Sequence, residues 1–167
     1  MADIRIPVSP IHGMVNTVGD ATHRAFIQLK NPAASGFNLR IFELKIGGSA
    51  AAERWRLRRT NAPLALAGTI TTATLARRNE LDVAAIVATL KGCTAVATQP
   101  PFAEVDSFWY DRITKDADQG YQETPLIVPL SYPLIVAQGS AIEMCSDAAN
   151  SAAIAIRLYA VWDEVLP

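Results

Sequence analysis

Ala152-Ala153-Ile154-Ala155-Ile156-Arg157-Leu158-Tyr159-Ala160-Val161-Trp162 is the stretch on which the fold turns. Ile154, Ile156, Leu158, Ala160 and Trp162 share one parity, while Arg157, Tyr159 and Asp163 share the other. Successive strand residues point to opposite faces, so this alternation predicts a strand with one face in a core. Working back from it, Gln138-Gly139-Ser140 is a turn leading into a strand over Ala141–Ser146. Pro125–Leu130 and Pro133–Val136 are short apolar segments whose prolines suit strand ends or sheet edges. Ser107–Thr114 reads as a strand from its run Phe108-Trp109-Tyr110, and Asp116-Ala117-Asp118-Gln119-Gly120 as a polar turn.

The first half has the same grain. Glu53–Thr60 alternates sharply, with Trp55 and Leu57 on one side and Arg54, Arg56 and Arg58 on the other. Gly68–Leu75, rich in Thr, is a further strand. Thr22–Lys30 and Phe37–Ile46 flank Asn31-Pro32-Ala33-Ala34-Ser35-Gly36, a run of chain breakers, and read together as a hairpin. Within the second of these, Leu39 and Ile41 have one parity and Phe42, Leu44 and Ile46 the other. That switch predicts a β-bulge or burial on both faces. Asn79–Gly92 reads as a short helical turn followed by a strand at Ile86–Leu90. The first twenty residues, with Pro7, Pro10 and turn signals at His12-Gly13 and Val18-Gly19-Asp20, read as an extended arm.

The expectation is an all-β protein: a single antiparallel β-sandwich, jelly-roll-like, of eight or nine strands over residues 21–167, with an N-terminal arm over 1–20. Local signals leave jelly-roll and immunoglobulin-like strand orders equally open. Composition agrees with a packed domain. The 167 residues are 50% hydrophobic and 19% charged, which excludes a disordered chain. A net charge of −1 gives the whole molecule no attraction to nucleic acid or to an anionic membrane. No run approaches the ~20 apolar residues of a membrane-crossing helix. Cys93 and Cys145 lack metal-type spacing and read as buried thiols.

Catalytic and cofactor motifs are missing from the sequence, so neither an enzyme nor a cofactor is expected. His12 and His23 are the only histidines, and no nucleophile motif or phosphate-binding glycine loop accompanies them. Asp111, Asp116, Asp118 and Glu123 read as a solvated turn; calcium-loop spacing is lacking. Three features point to contact with other chains. Arg54, Arg56 and Arg58 present guanidinium groups on one strand face, suited to carboxylates of an acidic partner. Phe108, Trp109 and Tyr110 in succession cannot all face one core, so an aromatic is left for contact. The arm with Pro7 and Pro10 can lie across a neighbour.

Two segments resemble small β-sandwich virion proteins of tailed bacteriophages. One is Phe26–Ile41, an apolar strand, then Asn31-Pro32-Ala33-Ala34-Ser35-Gly36, then an apolar strand. The other runs from Pro133 through Gly139-Ser140 and resumes over Ala152–Glu164, closing on Val161-Trp162-Asp163-Glu164. The resemblance spans about a third of the chain and does not reach residues 47–125. It implies a capsid decoration (cement) protein, made in the host cytoplasm and bound to the outer capsid surface. Its partners would be the major capsid protein and copies of itself, as a dimer or trimer, with no nucleic acid and no membrane. The other reading of these features is a head- or tail-fibre or adhesin module that binds a host receptor or glycan. There Trp109 or Tyr110 would stack on sugar and Asp111, Asp116 and Asp118 would take hydroxyls.

Overall fold

The computed structural model describes residues 10–18, 25–48, 55–79, 84–96, 109–111, 126–128, 133–146 and 155–167. Twelve strands and no helix occur among them, so no described helix could cross a membrane. The strands are β1 (Ile11–Val18), β2 (Phe26–Lys30), β3 (Asn38–Gly48), β4 (Trp55–Thr60), β5 (Leu66–Thr72), β6 (Leu75–Arg77), β7 (Thr89–Val96), β8 (Trp109–Asp111), β9 (Leu126–Val128), β10 (Leu134–Val136), β11 (Ala141–Ser146) and β12 (Ala155–Val165). They form two antiparallel sheets packed as a sandwich. Sheet I has the order β10-β3-β12-β1-β6, with β9 also on β3; sheet II has the order β5-β7-β2-β11-β4-β8.

The pairings are nested. β1 lies against β12, β2 against β11, β3 against β9 and β10, and β4 against β8. One long hairpin, rolled so that successive strand pairs fall alternately in sheet I and sheet II, generates this order. β5, β6 and β7 are added between the two innermost strands of the roll. β7 and β5 extend sheet II beyond β2, and β6 extends sheet I beyond β1.

Period-two alternation explains the core. On β12, Ile156, Leu158, Ala160 and Trp162 are all fully buried, as are Ile27 and Leu29 on β2 and Ile142 and Met144 on β11. On β3 the parity switch is a bulge: Val161 lies opposite Glu43 and the next residue, Trp162, opposite Ile41. Phe42 is therefore the extra residue, half-exposed, and the bulge lets Leu39, Ile41, Leu44 and Ile46 all enter the core. The bulge coincides with a break along the other edge of β3. β9 covers Leu44–Ile46 and β10 covers Leu39–Ile41, like two halves of one interrupted strand. The sheets come very close where β1 crosses β7. A Cβ added at Gly92 would lie 2.8 Å from Cβ of Thr17, so this position requires glycine for space.

Three expectations are corrected. Residues 11–18 are no free arm: they are β1, paired on both sides, with Ile11 and Val15 buried in the core. Pro7 and the rest of residues 1–9 lie outside the described residues. β2 and β3 are no hairpin, because β2 belongs to sheet II and β3 to sheet I. Alternation says which residues face the core and not from which side, so two strands facing each other across it read like two that pair. The turn before β7 is not helical over the described residues 84–88, and the strand begins at Thr89 instead of Ile86. There the backbone is held by side chains of the sheet: the Glu164 carboxylate accepts the Val87 and Ala88 amides, each at 2.9 Å. Arg77 donates to the Ala84 carbonyl at 3.0 Å and lies 3.7 Å from the Glu164 carboxylate.

Candidate functional site

Of the residues expected to make contacts, Arg54, Phe108 and Pro7 lie outside the described residues. Pro10 is half-buried just before β1, and its carbonyl accepts the Arg78 amide at 2.9 Å. The structure brings the other two elements together. β8 is the strand beside β4, with Trp109 in register with Leu57 and Tyr110 with Arg56. No local signal could have shown that pairing, since the two strands are far apart in the chain.

The alternation of β4 is as expected, with Leu57 buried and Arg56 and Arg58 on the opposite side, yet that side is not a solvent face. Arg58 makes an ion pair with Glu143 of β11, Nη2 to Oε2 at 2.7 Å and Nε to Oε2 at 2.8 Å. Glu143 is fully buried although it points away from the sandwich core. Its Oε1 accepts the Gln28 side-chain amide at 2.9 Å and the Leu64 backbone amide at 2.7 Å. Gln28 also donates to the Leu64 carbonyl at 3.0 Å.

A strap over sheet II accounts for this burial. The chain leaves β4 and rejoins the sheet at β5, four strand positions away. Residues 61–65 cross the outer face of the sheet on the way, where the Leu64 amide and carbonyl bond the Glu143 and Gln28 side chains. Under them Leu64 and Leu66 pack with Phe26, Cys93 and Cys145 as a second apolar cluster. Both cysteines are buried thiols. Phe26 stands between them in the sheet, so their strands are two spacings apart, beyond the reach of a disulfide.

The segments around Asn31 and Gly139 meet at one end of the sandwich. Asn31 is fully buried, and its side-chain amide donates to the carbonyls of Phe37 at 2.9 Å and Val136 at 3.1 Å. Its backbone amide donates to the Ser140 carbonyl at 2.9 Å, and its carbonyl accepts the Gly139 amide at 3.0 Å. Gly36 and Gly139 have φ of 74° and 76°, the left-handed conformation that suits glycine. Beside this clamp is an open cleft of about 670 Å³ lined by Arg58, Arg59, Thr60, Asn61, Ile135, Ala137 and Ser140. The Arg58 guanidinium is already paired with Glu143, so Arg59, with the hydroxyl and amide donors beside it, is the group that favours an anionic occupant.

Among the described residues no strap of this kind covers the outer face of sheet I. Polar pairs run over it: Arg40 with Asp163 and Arg157 with Asn16 at 2.7 Å across strands, and Lys45 with Glu43 along β3. Hydrogen bonding to Asp163, and then its charge, hold the Arg40 guanidinium above its ordinary range. A raised arginine contributes its stability below that range and loses it only above, so the pair does not titrate through arginine at neutral pH. The Arg40 guanidinium stacks over the Phe42 ring, 5.1 Å from its centroid, and the Lys45 ammonium over Tyr159 at 5.3 Å. Met14, Phe42 and Ile135 are exposed among these charges. Among the described residues no group of three or more His, Cys, Asp or Glu is placed to hold a metal ion. No protein-family profile, curated protein or solved structure matches the chain.

Proposed function

We propose that the protein is a non-enzymatic virion structural protein, a jelly-roll subunit that binds and stabilises a bacteriophage capsid as a decoration or cement protein. The observation that supports this most is the clamp at Asn31. The two separate segments that resemble phage sandwich proteins are joined there by direct hydrogen bonds. The nested pairing of β1 with β12, β2 with β11, β3 with β9 and β10, and β4 with β8 supports the jelly-roll order over the immunoglobulin-like one.

In this reading the capsid protein supplies carboxylates to the cleft at Arg59, and the face of sheet I that no described residue covers lies towards neighbouring subunits. Each contact is weak, and repetition over the shell gives avidity through effective concentration. Mass spectrometry of purified particles tests the assignment. The chain should be present in fixed proportion to the capsid protein, and Arg59→Glu should reduce its retention on particles washed in salt. Absence from particles, or a variable trace amount, sinks the assignment.

A further inference from the structure

We infer that β5 is a strand-addition edge through which two copies of this chain pair antiparallel about a two-fold axis. The sheets end, among the described residues, at β6 and at β9 with β10 in sheet I, and at β8 and β5 in sheet II. β6 and β10 are three residues long, and shortness is itself a protection against unwanted pairing; of β8 and β9 three residues each are described. β5 has seven residues. Between Pro63 and Arg77 the sequence has no proline and no charged side chain, so the usual guards of an edge strand are missing. Gly68 to Thr72 are all exposed, Ile70 at 48%.

The backbone narrows the usable stretch. The register with β7 shifts between Ala67 and Ile70, with Gly68 at φ 69°, so the first part of β5 is bulged and unsuited to regular pairing. Ile70, Thr71 and Thr72 then pair regularly with Cys93, Gly92 and Lys91. The Ala73 amide donates to the Leu90 carbonyl at 2.9 Å, which fixes the alternation. Thr71 directs its peptide groups towards β7, and Ile70 and Thr72 direct theirs away from the sheet. These three residues are β-branched and favour extended backbone.

Self-complementarity identifies the occupant as a second copy. With the two-fold axis at Thr71, Ile70 of one copy lies opposite Thr72 of the other, and all four outward-facing residues exchange hydrogen bonds. Thr71 lies opposite itself in a non-hydrogen-bonded pair, where side chains approach closest, and like pairs of threonine are favourable. No charge is brought against a like charge. The contact is isologous and closes, giving a dimer in place of a filament. It does not depend on the virion assignment, which the particle composition tests separately.

Sedimentation of the purified full chain is the test. The intact protein should sediment at twice its 18.0 kDa mass. Thr72→Pro, which removes an outward amide and no internal one, should sediment as a monomer with an unchanged circular dichroism spectrum. Thr71→Cys should form a reducible cross-linked dimer on mild oxidation, whereas Thr69→Cys, off the axis and in the bulge, should not. An intact chain that stays monomeric at every concentration overturns the proposal. So does an oligomer of any size that Thr71→Cys fails to cross-link, a result that also decides the matter if Thr72→Pro does not fold.

Discussion

The outer faces of the two sheets share alternation and similar residue types, yet one is interior and the other is not. On sheet II, Gln28, Glu143 and Arg58 form a cross-strand row that the strap over residues 61–65 removes from water, next to Phe26 and the two thiols. On sheet I, Arg40 with Asp163 and Asn16 with Arg157 pair across strands and Glu43 with Lys45 along β3, and no described residue covers them. The same charge pair has different consequences in the two places. In water a broken pair is resolvated, whereas under the strap a lost partner leaves a buried charge and unmatched donors. No described residue covers the outer face of sheet I, so another chain can lie there without displacing any of them.

The largest expected effect follows from that difference. Glu143→Gln keeps the shape but sets an amide against the Arg58 guanidinium, whose side chain is 16% exposed. Urea denaturation should show a loss of about 3–5 kcal/mol, as for other buried pairs broken on one side. Replacing Gln28, Glu143 and Arg58 together by apolar residues of similar size should recover most of that loss. A single Glu143→Gln that costs less than about 1 kcal/mol would mean the strap does not exclude water, and the contrast between faces would collapse.

A smaller effect tests the roof itself. Leu64→Ala shortens the strap's apolar contact over Phe26, Cys93 and Cys145. The half-buried leucine should cost about 2 kcal/mol, at the low end for leucine truncation. Reaction of the two thiols with a disulfide reagent should also quicken, and an unchanged rate would show that another segment shields them. Smaller still is Arg40→Ala on the open face. Its side chain is 44% exposed, and the expected loss is at most about 1 kcal/mol, reduced further by salt.

Alternation made the strands legible: Ala141–Ser146 coincides with β11, and the prolines at 125 and 133 mark the approaches to β9 and β10. The parity switch at Phe42 was a local signal of a local event, and it is there. Sheet membership was not legible, because inward-facing residues look the same from either side of the core. Glu143 was missed for a related reason. Between Ile142 and Met144 a charged residue reads as solvent-facing, and its burial comes from Leu64, 79 positions away in the chain. The pairing of Arg58 with Glu143 was hidden by the same omission, since only the strap encloses that part of the outer face. The β4–β8 pairing that places Tyr110 beside Arg56 likewise depends on a long-range contact.

Deleting Phe42 is the mildest change and the sharpest test of the open face. Removing one residue from a central strand ordinarily sends every later side chain to the wrong side of the sheet. In β3 it should do the reverse. With Phe42 gone, Leu39, Ile41, Leu44 and Ile46 alternate without interruption, and Ile41 and Glu43 become neighbours opposite Trp162 and Val161. β9 and β10 move closer together by one residue along their shared edge. The lost ring is half-exposed and contributes its stacking with Arg40, so the net change in unfolding free energy should stay under about 1 kcal/mol. Deleting Tyr159 from β12, which has no bulge at that point, should instead abolish folding. If both deletions unfold the protein, the extra residue is required by the strand's curvature, and the open face owes its shape to the bulge.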